Sequence, residues 1–213
     1  MRKLSNILTA FGLAAAVGLG AGAAVAQDAA IAATPDGLVK AVVTDVMNTV
    51  KSNKEMQSGN IAKIQGLVEK KIQPYADFDR TTKLALGRNV SKTSPKQLAQ
   101  IGEQFKLLLI RTYAGAISQV RDQTVDFKPL RAAAGDAEVV VCTVVMNKGE
   151  PIQIDYRLEK TDAGWRVYDL NVLGAWLSEA YRGQFADAIN KSGPDGLVQF
   201  LKDRNQQLAS TKK

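Results

Sequence analysis

Pro151-Ile152-Gln153-Ile154-Asp155-Tyr156-Arg157-Leu158-Glu159-Lys160 alternates apolar and polar side chains along its length. Ile152, Ile154, Tyr156 and Leu158 point one way and Gln153, Asp155 and Arg157 the other, the pattern of a β-strand with one dry face. Immediately upstream, Val139-Val140-Val141-Cys142-Thr143-Val144-Val145-Met146 is apolar on both faces, so this strand is expected at the centre of a sheet and covered on both sides. Residues 125–130 and 165–172 are also β-rich. Gly135-Asp136, Lys148-Gly149 and Asp162-Ala163-Gly164 supply turns between the runs, so residues 123–172 are expected to form an antiparallel meander.

On the N-terminal side the period changes to that of helices. Thr34 with Pro35 at the first helical position opens a segment to about Lys54 in which Leu38, Val42, Val46 and Val50 share a face. A second helix from near Asn60 carries Ile61, Ile64, Leu67, Val68 and Ile72 until Pro74 stops it. Asp77 caps a short third helix that ends at Gly87, and Ser94-Pro95 opens a longer one to about Val120. On the C-terminal side, residues 175–190 and 194–208 read as two helices, the second started by Gly193-Pro194-Asp195. The expected class is α+β: a helical first half, a curved antiparallel sheet, and C-terminal helices wrapped around it.

The fourth helix has more apolar surface than one buried stripe requires. Leu98, Ile101, Phe105, Leu108 and Thr112 make a stripe, yet Leu107, Leu109, Ile110 and Tyr113 continue it around the helix. Either this helix is sandwiched between the sheet and neighbouring helices, or helix and sheet enclose an apolar cavity large enough for hydrocarbon. Pattern alone leaves both readings standing.

The 213 residues are 46% hydrophobic and 23% charged, ordinary for a globular chain, with 28 Lys+Arg against 21 Asp+Glu. There is no His, which removes Ser/His and Cys/His nucleophilic pairs, His-ligated metals and a histidine pH switch. The single Cys142 can form neither an internal disulfide nor a thiolate cluster, and its place in a valine-rich strand reads as inert core. Gly193-Pro194-Asp195-Gly196 precedes a helix, but Pro194 removes a donor and no Lys-Ser/Thr follows, so it is no phosphate loop. No metal-ligand cluster is visible, and no cofactor is expected. Asp155, Glu159 and Asp169 lie on strands near Tyr156 and Tyr168, and an acid/base pair in a small pocket enzyme is conceivable. Gln153, Asp155 and Arg157 are more simply a solvated face, and Asp169 can pair with an Arg or cap a turn. A non-enzymatic chain is the expectation.

Arg2 and Lys3, an apolar stretch from Ile7 to Val25, and Ala24-Val25-Ala26 make a secretory signal with cleavage expected after Ala26. An uncleaved anchor is the competing reading, and the Ala/Gly richness of the stretch favours cleavage. Residues 27–213 would then form one exported domain. Export argues against nucleic acid as the partner of a chain with formal net charge +7, and leaves anionic lipid, a membrane face or an acidic protein.

Several blocks also resemble a known family in order along the chain: Asp77-Phe78, Ala85-Leu86-Gly87, Ser94-Pro95-Lys96-Gln97 leading to Phe105 and Thr112-Tyr113, then Gly164-Trp165-Arg166-Val167-Tyr168-Asp169, Tyr181-Arg182-Gly183-Gln184-Phe185, and Gly193-Pro194-Asp195-Gly196-Leu197. Together they resemble the toluene-tolerance, or MlaC, family, and the resemblance spans nearly all of residues 27–213. It implies a monomeric periplasmic carrier that holds phospholipid as cargo and moves it between an outer-membrane lipoprotein complex and an inner-membrane ABC transporter. A hopanoid is the alternative cargo. The implied fold is a sheet like that of nuclear transport factor 2 with helices added to form a deep apolar lipid pocket. On that reading Ile152, Ile154, Tyr156 and Leu158 form the sheet wall, with Phe105, Leu108 and Tyr113 opposite and Leu173, Leu177, Tyr181 and Phe185 from the C-terminal side. Val90, where the family often has an aromatic residue, and the bulky Trp176 depart from the pattern, and Trp176 would alter the volume of the neighbouring pocket.

Overall fold

The computed structural model describes residues 33–133, 135–147 and 149–210. The expected signal segment lies outside the described residues. Helix α1 (Pro35–Lys51) starts where Thr34 accepts the Gly37 N–H through its hydroxyl, with Pro35 in the first turn. A four-residue α2 (Lys54–Gln57), which periodicity is too short to reveal, links it to α3 (Ile61–Leu67), capped by Asn60. That helix widens to π geometry over Val68–Ile72 and tightens to a 3-10 turn at Gln73–Tyr75, where Pro74 ends it. Asp77 caps α4 (Phe78–Leu86), followed by a 3-10 segment, Gly87–Lys92. Ser94 and Gln97 form a reciprocal capping box at the start of α5 (Pro95–Ser118).

Strands β1 (Thr124–Phe127), β2 (Glu138–Asn147), β3 (Glu150–Thr161), β4 (Gly164–Val172) and β5 (Ala175–Trp176) form one antiparallel sheet in sequence order. The fold is α+β with an open five-stranded meander. The two-residue β5 is the strand that sequence periodicity misses. It pairs only with Asn171 and Val172, leaving the rest of that edge of β4 to be covered another way. The Asp77 N–H donates to Val167 O at 2.8 Å and the Thr81 hydroxyl to Tyr168 O at 2.7 Å, so the start of α4 takes up backbone groups that a longer strand would otherwise pair.

Helix α6 (Leu177–Ser210) is two arms in one continuous run, broken at Ser192 and Gly193, where Gly193 has φ 69°. The break falls where Gly193-Pro194 predicts it: glycine accepts the left-handed backbone, and Pro194 supplies no N–H to the preceding turn. Three apolar clusters organise the interior. One joins α4, α5 and both arms of α6 around Phe105, Phe185 and Leu201. A second joins α1, α2, α3 and α5 around Val50, Ile64 and Ile110. The third seats α1, through Leu38 and Val39, on Val139, Val141 and Leu158 of the sheet.

Candidate functional site

Strand register decides which side chains share the inner face of the sheet. Val141 lies opposite Tyr156, Thr143 opposite Ile154, and Val145 opposite Ile152; on the other side, Tyr156 lies opposite Leu170 and Ile154 opposite Val172. Directly opposed residues in an antiparallel pair project to the same side, so Ile152, Ile154, Tyr156 and Leu158 lie on one apolar face with these neighbours. Leu158 is fully buried against α1, whereas Tyr156, Ile154, Ile152, Val145 and Val172 are only half-buried. Enclosure is complete at Leu158 and, on the neighbouring strand, at Thr143, while the β3 side chains from Tyr156 to Ile152 keep part of their surface.

Tyr156 shows what this stretch is like. It is half-buried, and burial is the leading cause that pushes its phenol above the ordinary tyrosine value. Tyr156 is thus largely surrounded by protein, packed against the cluster on α1, while keeping some exposure.

On the helical side, the structure brings six of the expected residues together. Phe105, Leu108, Leu177 and Phe185 are buried in one cluster, with Tyr113 and Tyr181 half-buried at its margin. Phe105 meets Tyr181 and Phe185 edge-on, with ring centroids 5.0 and 4.9 Å apart. Burial and the nearby Tyr181 raise the Tyr113 phenol. Tyr156 and Leu158 belong to the separate cluster on α1. Leu173 joins neither: it sits at φ 54° in the β4–β5 turn and is 73% exposed. Val145, Leu170 and Val172 share the inner face but are absent from the sequence-based wall, since only the paired register reveals them.

The opposite face corrects three expectations. The polar alternation of β3 reads as solvated, but Asp155 is only 8% exposed, and its two oxygens accept the Gln153 amide at 3.0 Å each. Cys142 is half-buried on this face rather than in the core, because its register partner is Asp155; burial first, then the hydrogen bond to Asp155, raises its thiol and keeps it protonated. Trp176 does not fill the apolar side: its ring lies 3.7 Å beneath the Arg157 guanidinium.

The three strand carboxylates that the sequence offers for acid/base work, Asp155, Glu159 and Asp169, are all engaged. Asp169, 2% exposed, accepts the Ser178 hydroxyl at 2.6 Å and the Ser178 N–H at 3.1 Å, and faces Arg157 at 3.3 Å. It therefore both pairs with an arginine and fastens the start of α6. Glu159 and Glu138 hold Arg80, whose guanidinium stacks 3.6 Å over the Tyr168 ring, and the Tyr168 hydroxyl donates to Glu138 at 2.8 Å. A bulge between Arg157 and Leu158 makes this possible, since Asp169 and Val167 both find partners and Tyr168 is left over to meet Arg80. These carboxylates act as fasteners between sheet and helices. Among the described residues, no group of His, Cys, Asp and Glu could hold a metal ion.

A family model described as MlaC protein matches residues 40–203. The toluene tolerance protein ttg2D of Pseudomonas putida is 28% identical over 165 residues, 77% of each chain. The intermembrane phospholipid transport system binding protein MlaC of Haemophilus influenzae is 23% identical over 187 residues, 85% of each chain. A solved structure, the phospholipid-binding protein from Ralstonia solanacearum in complex with a phospholipid, is 55% identical with a TM-score of 0.78, over 80% of this chain and 96% of that one.

Proposed function

The chain belongs to the MlaC family, and from that premise we propose that it is a periplasmic carrier that holds phospholipid acyl chains in a recess between the inner face of the sheet and the helices. The observation that carries this reading is the 55% identity to a protein solved with a phospholipid. The half-buried run Ile152, Ile154 and Tyr156, with a phenol desolvated yet accessible, supports the sheet as one wall. We assign Tyr113 and Tyr181, half-buried at the margin of the helical cluster, to the opposite wall.

The physical task of such a carrier is kinetic. Exposing acyl chains to water costs about 0.8 kcal/mol per methylene, so a two-chain lipid with on the order of 28 methylenes meets a barrier of roughly 20 kcal/mol in bare solvent. An apolar recess removes most of that barrier without offering a large gain over the bilayer, which is also hydrocarbon. Direction must therefore come from the partners, which we propose are an outer-membrane lipoprotein complex and an ATP-driven inner-membrane transporter. The head group stays at the mouth in water, because an unpaired buried phosphate is expensive.

Protein purified without detergent is expected to release lipid in roughly stoichiometric amount on solvent extraction, read by mass spectrometry. Folded preparations that consistently release none overturn the carrier reading; a hopanoid in the extract keeps the carrier and changes the cargo. Photo-crosslinking groups at Ile154 or Leu177 are expected to capture lipid, and equal capture from Gln153 or Asp155 would overturn the assignment of faces.

A further inference from the structure

Between α4 with its 3-10 continuation and the first arm of α6 lies an open groove of about 860 Å³, on elements away from the β3 wall. Its lining combines a floor of aliphatic and small residues, among them Leu84, Leu86, Gly183 and Ala186, with a cationic rim of Lys83, Arg88 and Arg182. Lys83 and Arg88 are exposed, and neither side chain has an ion pair or hydrogen bond among the described residues. Arg182 donates its Nε–H to Leu84 O at 3.3 Å, which fixes the side chain and leaves the end of the guanidinium free for the groove. Gly87 prepares this placement: at φ 54° it takes a backbone that other residues resist, and the stem of Arg182 lies against the position where a Cβ would stand. Arg80 also lines the groove but is committed to Glu138 and Glu159, and the single acid of the lining, Glu179, faces Arg157 at 3.4 Å.

A second observation points to a ligand. Asn89 lines the same groove, is 3% exposed, and its amide has no hydrogen-bond partner; the Oδ1 atom is wholly buried. A buried amide with nothing to bond costs stability that an apolar residue of the same size would not. The orphaned atom is an acceptor, so it calls for a donor: the backbone N–H groups of an extended segment seated in the groove supply one, which the oxygens of a phosphate or carboxylate do not.

The shape selects the kind of anion. The groove is many times larger than one phosphate ion and has an apolar floor, so a lone oxyanion would leave most of it empty. It is concave, and a bilayer surface cannot follow it. An extended chain segment with carboxylates spaced along one side and small apolar side chains along the other satisfies rim and floor together. We propose that this groove docks an acidic segment of a partner protein. The inference extends the carrier reading, because a carrier must be held by whatever loads or unloads it, but its test does not depend on cargo.

The test uses the chain without its first 26 residues and, as probe, a fluorescein-labelled twelve-residue peptide alternating Glu and Ala, read by anisotropy. Saturable binding is expected, weakening as salt is raised and about tenfold weaker in the double variant Lys83→Glu, Arg88→Glu, whose residues are exposed and unpaired. Lys40→Glu with Lys202→Glu, exposed on α1 and on the second arm of α6, is expected to leave affinity within about twofold. Asn89→Leu is expected to weaken peptide binding while melting no lower than the parent, a split that a merely structural asparagine would not produce. Absence of saturable binding overturns the proposal, as does equal loss in the two charge-reversal pairs. Groove-dependent binding of inorganic phosphate or of phosphatidylglycerol vesicles, without binding of the peptide, also overturns it. Lipid extraction from the same preparations reports on the carrier reading separately.

Discussion

At one end of the inner face of β3, Leu158 is fully buried under α1, its neighbours Val139 and Val141 are buried with it, and Arg80 clamps the adjoining Glu159. Four and six residues away on the same face, Ile154 and Ile152 keep part of their surface, and their partners Val172 and Val145 are half-buried too. One alternating pattern thus serves two ends, the first enclosed as core that holds the sheet to the helices and the second left partly exposed, where the proposed wall stands. Alternation specifies which side chains face inward, while helix α1, seated on Val139, Val141 and Leu158, encloses one end of the set.

The contrast is broken most directly by truncation. Leu158→Ala is expected to destabilise the delipidated protein by about 3 kcal/mol, since the site is fully enclosed and a cavity remains. Ile154→Ala is expected to cost under about 1 kcal/mol, because the side chain gives up less burial and leaves no new void beside a recess. Urea unfolding of the two variants measures both. Equal losses would mean that the Ile154 end is packed as tightly as the Leu158 end.

The fastening on the far face comes next in size. Asp169 is nearly enclosed and holds Ser178 through two hydrogen bonds beside Arg157. Asp169→Ala is expected to cost about 2 kcal/mol, leaving the Ser178 groups without their acceptor and Arg157 with Glu179 alone. Cys142→Ser, half-buried on the same side, is expected to change stability little. A small effect at Asp169 would show that α6 is held to the sheet chiefly by its apolar contacts.

Local chemistry made much of this architecture legible. Thr34-Pro35, Asp77 and Ser94-Pro95 announce helix starts because a cap is satisfied by residues three or four positions away, and all three fall where the sequence places them. The meander and the break at Gly193 are local for the same reason. What stayed hidden depends on distant residues: the bulge at Leu158 that frees Tyr168, the two-residue β5, and the burial of Asp155. The site divides the same way. Alternation identifies Ile152, Ile154 and Tyr156 as a set, but it cannot say that Phe105 and Phe185 pack against each other, that Leu173 is turned outward, or that Asn89 is buried without a partner.

The clamp at the closed end has a pH signature. Burial, then the hydrogen bond and charge of Glu138, push the Tyr168 phenol up from 10.0 to about 12. Between about pH 10 and 12 the unfolded chain gives up this proton while the folded protein keeps it, so stability is fully present below 10 and is lost as pH rises through that window. Tyr168→Phe is expected to flatten this decline in urea midpoints measured across alkaline pH. An unchanged slope would show that Tyr168 is not the group responsible.

Tyr156→Glu probes the boundary between the two ends. In a solid core the carboxylate would have no water, and the variant would unfold or fail to express. On the wall of a recess the empty protein can hydrate it, so the delipidated fold is expected to survive with a stability loss of about 1 kcal/mol, while bound lipid falls sharply. A large loss of stability with unchanged lipid content in the folded fraction would return Tyr156 to the Leu158 side of the comparison.

The smallest stability effect, and the sharpest test of free space, is expected from enlarging a side chain. In a close-packed interior, added volume forces neighbours off their rotamers at a cost of about 1–3 kcal/mol. Beside an unfilled recess the same volume meets only solvent or cargo, and the indole buries apolar area that was wet, so Ile154→Trp is expected to leave the delipidated protein within about 0.5 kcal/mol of the parent. The displaced volume then appears in the cargo, as less lipid per protein or as shorter acyl chains in the extract. Leu158→Trp, on the same face of the same strand, is the control in which the added volume has nowhere to go and folding fails or weakens. Should Ile154→Trp destabilise as Leu158→Trp does, the inner face is filled from end to end, and the space for acyl chains must lie elsewhere than against β3.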